Sequence, residues 1–125
     1  MEIRARPVAK ERPRKGRNGI FYTPRKTKAF EKLIRTEYQK QDGSYHEGEI
    51  TAYIEIEKKE PTSWSNKKKR ENIGKACLTR PDLDNIAKAI LDALNGIAYK
   101  DDSQVAMLII NKTYGEDDKI IVNLY

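Results

Sequence analysis

The sequence predicts an α/β fold, a small mixed β-sheet of four or five strands packed with two principal helices. Residues 49–58 alternate apolar and polar side chains, which is typical of a half-buried strand, and the apolar segment 105–114 predicts a second long strand. Two other segments, 23–41 and 81–96, repeat apolar residues every three or four positions, as amphipathic helices do. A chain of 125 residues has room for one core, so we expect a single domain over residues 1–125.

The first forty residues are expected to form a short strand, a basic loop and a helix. Residues 1–8 alternate loosely and predict the strand, while residues 10–28 predict the loop because cations dominate them. The helix is expected over Thr23–Gln41, with Thr23 as its cap and Pro24 at its first position. Its apolar stripe comprises Ala29, Phe30, Leu33, Ile34 and Tyr38.

The middle of the chain carries the alternating strand and then a lysine-rich segment. Residues 61–71 predict a short helix, followed by a linker to Cys77. We interpret Trp64, within this segment, as a packing anchor rather than a platform on which bases stack.

A second principal helix is predicted between Pro81 and Gly96. Pro81 precedes the first turn, Asp82 is the expected N-cap and Gly96 is the expected C-terminal stop. The apolar face comprises Leu83, Ile86, Ala87, Ile90, Leu91, Leu94 and Ile97. Steps of four and three residues define a separate polar stripe of Asp84, Lys88, Asp92 and Asn95.

The C-terminal strand is apolar on both faces. We therefore expect residues 105–114 to lie centrally in the sheet, covered by helices on one side and by a partner subunit or helix on the other. Residues 115–119 predict a hairpin turn, and residues 120–125 predict the last strand. The turn accounts for Asp117 and Asp118, which receive no catalytic role.

Composition favours a polyanionic partner, since the formal net charge is +6 and the isoelectric point is about 9.4. Basicity alone would also suit a ribosomal or membrane-surface protein. One cysteine excludes an intramolecular disulfide framework, and one cysteine with one histidine excludes a structural zinc site. No apolar segment is long enough to span a bilayer, and no signal peptide is evident, so we expect a cytoplasmic protein.

Carboxylates concentrate around the second principal helix of this cationic chain. Asp82 precedes the first turn of this helix, and Asp84, one intervening residue later, lies in that turn. Asp102 follows after the chain has turned back. A few carboxylates that leave open positions suit Mg²⁺, which serves phosphodiester hydrolysis. Lys88, one turn beyond Asp84, could place an ammonium on the phosphate or orient a carboxylate.

The same residues allow a purely structural interpretation. Asp82 alone could be a helix cap, and Asp92 could be a solvated residue paired with Lys88. Asp101 and Asp102 could form an ordinary turn before a strand. Spacing does not choose between the two interpretations.

The run PDLDNIAKAILDALNG, followed by YKDDSQV, closely resembles the RusA family of Holliday-junction endodeoxyribonucleases, which are common in phages and prophages. The segments RPRKGRNGIFYTPRKTKAFE and SWSNKKKRE resemble other parts of the family, so the resemblance covers most of the chain. It implies that Asp82, Asp84, Lys88 and Asp102 are catalytic. It further implies a homodimer, and we expect Mg²⁺, with Mn²⁺ as a substitute, on the three aspartates. Asp92 and Asp101 are expected to support the metal ligands through hydrogen bonds.

The basic segments are the expected DNA-binding surface. Phe21 and Tyr22 interrupt the N-terminal one, and either they insert into an opened junction or Phe21 packs in the core. The residues expected to contact phosphates are Arg12, Arg14, Lys15, Arg17, Arg25, Lys26, Lys67, Lys68, Lys69 and Arg70.

These expectations combine into one function. The chain is expected to resolve four-way DNA junctions by paired symmetric Mg²⁺-dependent nicks, in DNA recombination and repair. One alternative is a non-catalytic protein that binds branched DNA, in which the aspartates are caps and turns. Another is a nuclease that acts on flaps or replication forks, which offer a similar branched backbone to the same basic loops.

Overall fold

The computed structural model describes residues 1–11, 13–22 and 24–125, and it confirms the α/β fold class. Two principal helices pack beside a four-stranded mixed sheet, and a small two-stranded sheet lies apart from it in the topology. The elements are β1 (Glu2–Ile3), β2 (Arg14–Lys15), β3 (Phe21–Tyr22), α1 (Arg25–Gln41), β4 (Ile50–Lys59), α2 (Asn66–Asn72), α3 (Leu83–Ala93), β5 (Val105–Gly115) and β6 (Lys119–Leu124). A 3₁₀ turn, Asp102–Gln104, directly precedes β5.

The main sheet has the strand order β1-β6-β4-β5. β4 pairs in parallel with β5 and antiparallel with β6, while β1 pairs antiparallel with β6. Because parallel strands require a crossover, the chain between β4 and β5 must travel back along the sheet, and it does so through α2 and α3. The start of α3 therefore lies near the end of β4, and the chain returns beside the start of β5.

One face of the sheet packs against the two long helices. The β4 residues Ile50, Ala52, Ile54 and Ile56 are buried at alternate positions, as the sequence predicts. They form a single hydrophobic cluster with residues of α1 and α3, including Ile34 and Ile90. Burial of each isoleucine side chain contributes about 1.5–3 kcal/mol to folding. This cluster fixes α3, and with it the acidic motif, on the sheet.

The prediction that residues 105–114 form a central strand is wrong. β5 is long, as expected, but it occupies the edge of the sheet, and Met107, Leu108 and Ile109 are exposed. The predicted hairpin at 115–119 is also wrong, because β4 lies between β5 and β6. Two apolar faces indicate that both faces of a strand are covered. They do not show whether the covering residues belong to the same chain or to a partner.

The N-terminal elements are shorter than predicted. β1 contains two residues, and the basic loop contains the β2–β3 hairpin. Helix α1 begins at Arg25, and Pro24 is its N-cap residue instead of its first helical residue. The expected cap Thr23 lies outside the described residues. Within the ranges that the structure describes, no helix is long and apolar enough to cross a membrane.

Candidate functional site

Two lysines of the sheet hold the segment that leads into α3. Lys58 of β4 donates hydrogen bonds to the hydroxyl of Thr79, at 3.0 Å, and to the carbonyl of Arg80. Lys112 of β5 donates to the carbonyls of Thr79 and Pro81, the latter at 2.7 Å. The peptide bond between Arg80 and Pro81 is cis. The hydrogen bonds from Lys58 and Lys112 fix the backbone immediately before Asp82.

Asp82 and Asp84 carry free carboxylates at the start of α3. Asp82 is the N-cap residue, as predicted, but its side chain makes no capping hydrogen bond. Asp84 lies in the first turn, and both residues are exposed. Neither carboxylate makes a hydrogen bond or ion pair with any other residue in the described part of the chain. A cap role therefore does not account for the Asp82 side chain, which is available to a ligand.

Asp102 lies beside the polar stripe of α3, two turns beyond Asp84. The Asp92 carboxylate is 3.5 Å from the Lys88 ammonium and lies close enough to Asp102 to affect the pKa of that residue. Burial raises the pKa of Asp102, and the adjacent carboxylate of Asp92 raises it further, while the charge of Lys88 acts in the opposite direction. The structure thus brings together Lys88, Asp92 and Asp102.

Asp92 also connects this group to the N-terminal segment. The Lys10 ammonium lies 3.6 Å from the Asp92 carboxylate and forms an ion pair with Glu31 of α1. The Lys10 backbone N–H donates to the Asn85 carbonyl at 2.9 Å. Lys10 begins the predicted basic loop, and these contacts join the N-terminal segment to α1 and α3.

Asp101 forms the turn that carries Asp102. Its carboxylate accepts the backbone N–H of Ser103 at 3.2 Å, and the side chain of Gln104 accepts the N–H of Asp101 in return. Hydrogen bonding from Ser103 holds the pKa of Asp101 below its usual value. The turn is therefore a capped unit that sets the direction of the Asp102 side chain.

The chemistry of Asp82, Asp84 and Asp102 suits Mg²⁺, because hard carboxylate oxygens are its preferred protein ligands. Their arrangement is more extended than the sequence suggests. Asp84 and Asp92 are eight residues apart on one helix, which is about 12 Å along its axis, and Asp102 lies at the Asp92 end. No group of three or more histidine, cysteine, aspartate or glutamate side chains among the described residues is close enough to hold a metal ion.

A groove of about 320 Å³ opens beside Asp82. Three cations line it, Arg6, Lys26 and Arg80, together with the carboxylate of Glu11 and with Asn85 of α3. Lys26 was predicted as a phosphate contact. Arg6 and Arg80 were missed, although Arg80 directly precedes the acidic motif in the sequence. A groove that combines cations with a free carboxylate suits a phosphodiester backbone.

Comparison with known proteins agrees with this chemistry. Residues 5–125 match the family described as endodeoxyribonuclease RusA. The chain belongs to the RusA family. It is also 38% identical over 124 residues to the uncharacterized protein YqaN of Bacillus subtilis (strain 168), covering 93% of this chain and 87% of that one. Membership of the RusA family confirms the resemblance and supports endonuclease activity.

The cations predicted to contact DNA lie on three elements of this RusA-family chain, the β2–β3 hairpin, the start of α1 and α2. Arg14 and Lys15 lie on the exposed β2–β3 hairpin, although Arg14 also pairs with Glu11 at 3.3 Å. Phe21 is 67% exposed, so the alternative in which it packs in the core is wrong. The other exposed cations are Arg17, Arg25, Lys26, Lys67, Lys68 and Arg70, and Lys69 is half-buried. Arg12 lies outside the described residues.

Trp64 is a packing residue, as predicted. Its ring lies 5.0 Å from that of Tyr114, and the Lys68 ammonium lies 4.6 Å above it. These contacts attach the short helix α2 to the end of β5. They also fix the position of the α2 cations. The indole ring is already in contact with Tyr114 and Lys68, so it is not free to stack on a base.

We expect Lys112→Met to slow DNA cleavage by about 10- to 100-fold, because the backbone before Asp82 loses two hydrogen bonds and catalytic groups tolerate little displacement. DNA affinity should change little, since the Lys112 ammonium is turned toward the protein. The matched control is Lys59→Met, because that side chain makes no hydrogen bond or ion pair with the described residues. Single-turnover rates and gel-shift affinities would check both variants, and unchanged cleavage in Lys112→Met would contradict this role.

We expect Asp102→Asn to raise the melting temperature at pH 7 in the absence of metal. The raised pKa of Asp102 means that its ionised form destabilises the folded state at pH 7, and that protonation removes this cost as the pH falls. The difference from the parent should therefore shrink as the pH falls through the raised pKa. Asp101→Asn is the opposite control, because the lowered pKa of Asp101 makes its ionised form stabilising. Thermal melts from pH 4 to 8 measure both, and a lower melting temperature for Asp102→Asn at pH 7 would contradict this expectation.

Proposed function

We propose that this protein is a Mg²⁺-dependent endodeoxyribonuclease that resolves four-way DNA junctions by paired symmetric nicks, in DNA recombination and repair. It acts in the cytoplasm as a single-domain subunit of a homodimer. The observation that carries the proposal is the free carboxylate pair of Asp82 and Asp84 beside a cationic groove in a RusA-family chain.

The groove suits the attacked strand. Arg6, Lys26 and Arg80 surround it from three segments of the chain, and they would bind phosphates on either side of the scissile bond. Lys88 is 61% exposed, so its ammonium can reach a bound phosphate even while Asp92 orients it. In that position it would stabilise the negative charge that develops on the phosphate.

We propose Asp82, Asp84 and Asp102 as the ligands of Mg²⁺. Because the structure places Asp102 at the Asp92 end of α3, the three carboxylates would have to come closer together to hold one ion. When bound, the ion supplies polarisation of the phosphate and an activated water, and Mn²⁺ would substitute for it. Asp102 is the ligand that depends most on its surroundings, because it follows the capped Asp101 turn and lies beside the Asp92 carboxylate. Asp92 thus supports the ligand set, and Asp101 supports it through the backbone. The products would carry 5′-phosphate and 3′-hydroxyl ends that a ligase can join.

A panel of branched substrates tests the proposal. Four-way junctions, replication forks, flaps and linear duplexes of matched sequence are incubated with the purified protein and Mg²⁺. We expect the four-way junction to be cut fastest. Faster cutting of forks or flaps would favour a replication-fork or flap nuclease, and binding of all branched substrates without cutting would favour a non-catalytic binding protein.

A further inference from the structure

The outer edge of β5 is divided into two halves. Along its C-terminal half, the segment 74–77 pairs with the strand through the Cys77 N–H and the Lys112 carbonyl, at 2.9 Å, and through the Tyr114 N–H and the Lys75 carbonyl, at 3.0 Å. Along its N-terminal half, from Val105 to about Asn111, no other described segment pairs with it. Seven residues of strand edge are therefore open.

The open half is also the apolar half. Residues 105–110, with the sequence VAMLII, contain no charge, proline or glycine. Met107 is 55% exposed, Leu108 41% and Ile109 46%. Monomeric proteins protect their edge strands with charges, prolines or bulges, since an open apolar edge recruits another strand. Such an edge in a chain with 35% charged residues indicates a partner that covers it.

We propose that this partner is a second copy of the chain, whose β5 pairs antiparallel with the first across a two-fold axis. This rests on the dimer in the proposed function and identifies its surface. DNA does not suit the edge, because residues 105–110 offer no cation to phosphates. A second copy suits it, because an isologous interface sets residues against their own counterparts. Residues 105–110 set apolar against apolar, without charge repulsion.

The hydrogen bonds already present fix the register of this pairing. Lys112 and Tyr114 direct backbone groups away from β4, toward segment 74–77. Backbone groups alternate along a strand and the β4–β5 register is regular from Met107 onward, so Leu108 and Ile110 also direct theirs outward. An axis at Leu108 pairs that residue with itself and Met107 with Ile109. The partner strand then starts opposite Asn111, where segment 74–77 leaves the edge.

This geometry places both catalytic sites on one side of the dimer. The two-fold axis between antiparallel strands is perpendicular to the sheet, so the helices of both subunits lie on the same face. The two Val105 residues, six strand positions apart, are separated by about 20 Å. Each Asp102 lies three residues before Val105. Two sites that face the same way across a two-fold axis suit a junction that has two-fold symmetry.

Leu108→Arg tests the proposed dimer surface, because it places the guanidinium groups of the two subunits opposite each other at the two-fold axis. We expect its dimer dissociation constant to rise by at least about 100-fold. Light scattering after size exclusion should give twice 14.4 kDa for the parent and 14.4 kDa for the variant. The matched control, Leu78→Arg, changes a side chain that is 91% exposed and should remain dimeric. Circular dichroism checks that both variants are folded. A dimeric Leu108→Arg, or a monomeric parent, would overturn the inference.

An intermolecular cross-link tests the register of the two β5 strands by a measurement that does not depend on destabilising the dimer. Leu108→Cys should form an intermolecular disulfide on mild oxidation, because residues paired across strands lie about 5.5 Å apart. Met107→Cys should cross-link more slowly, since Met107 faces Ile109 of the second copy, and the parent controls for the buried Cys77. Equal cross-linking at both positions would contradict the register. A cross-linked dimer that cuts no junction would disprove the proposed function but leave the surface intact.

Discussion

Asp82→Asn and Asp102→Asn should each reduce junction cleavage by about 100-fold or more, with junction affinity unchanged or increased. Each substitution replaces a proposed metal ligand by a neutral amide, so the charge of the attacked phosphate is no longer offset. Each also removes a negative charge from the surface that is proposed to face DNA, which is why we do not expect binding to fall. Cleavage rates at saturating protein, together with gel shifts in EDTA, separate the two effects.

The matched control is Asp117→Asn. Asp117 is an exposed turn residue whose carboxylate lies 3.5 Å from the Arg4 guanidinium. The Asp117→Asn variant should cut junctions at the parent rate. If Asp82→Asn or Asp102→Asn cut junctions at nearly the parent rate in Mg²⁺, that residue would not be a ligand. Because Asp102→Asn is also expected to be more stable at pH 7, loss of its activity could not be attributed to unfolding.

Lys88→Ala should slow cleavage by about 100- to 1,000-fold and weaken DNA binding only modestly. Its ammonium is mostly exposed and lies 3.5 Å from Asp92, so the side chain is oriented but still available to a phosphate. A group that acts on charge formed during the reaction lowers the chemical rate more than the affinity. Single-turnover rates and equilibrium binding measure the two quantities.

Lys40→Ala serves as the comparison, because Lys40 is an exposed lysine in the last turn of α1. Equal losses of binding and cleavage in Lys88→Ala would make this residue a simple phosphate contact. An unchanged cleavage rate would remove it from the reaction altogether.

Local periodicity predicted the elements that hold the site. Alternation over 49–58 predicted β4 almost to the residue, and the three- to four-residue spacing after Asp82 predicted α3. Both signals arise because each element buries one face against a single core. The same patterns placed Asp82 at the start of α3 and Lys88 on its polar stripe. The sequence alone therefore predicted where on α3 Asp82 and Lys88 lie.

Contacts between distant segments could not be predicted in this way. The β5 strand was expected in the centre of the sheet because its two faces are apolar, whereas the structure places it at the edge. The roles of Lys58 and Lys112 were not anticipated, since a lysine in a strand carries no sign of the carbonyl that it will reach. The contact between Asp92 and Asp102 depends on how the chain returns beside α3, and sequence spacing does not determine that return.

The most direct test of the central claim uses a synthetic four-way junction with all four strands labelled. The protein is incubated with it in Mg²⁺, in EDTA, and as the Asp84→Asn variant, and each strand is resolved. We expect paired nicks at symmetric positions in two opposing strands, absent in EDTA and absent in Asp84→Asn. A junction that is bound but uncut with every divalent metal tried would contradict the account, and the acidic motif would then be structural.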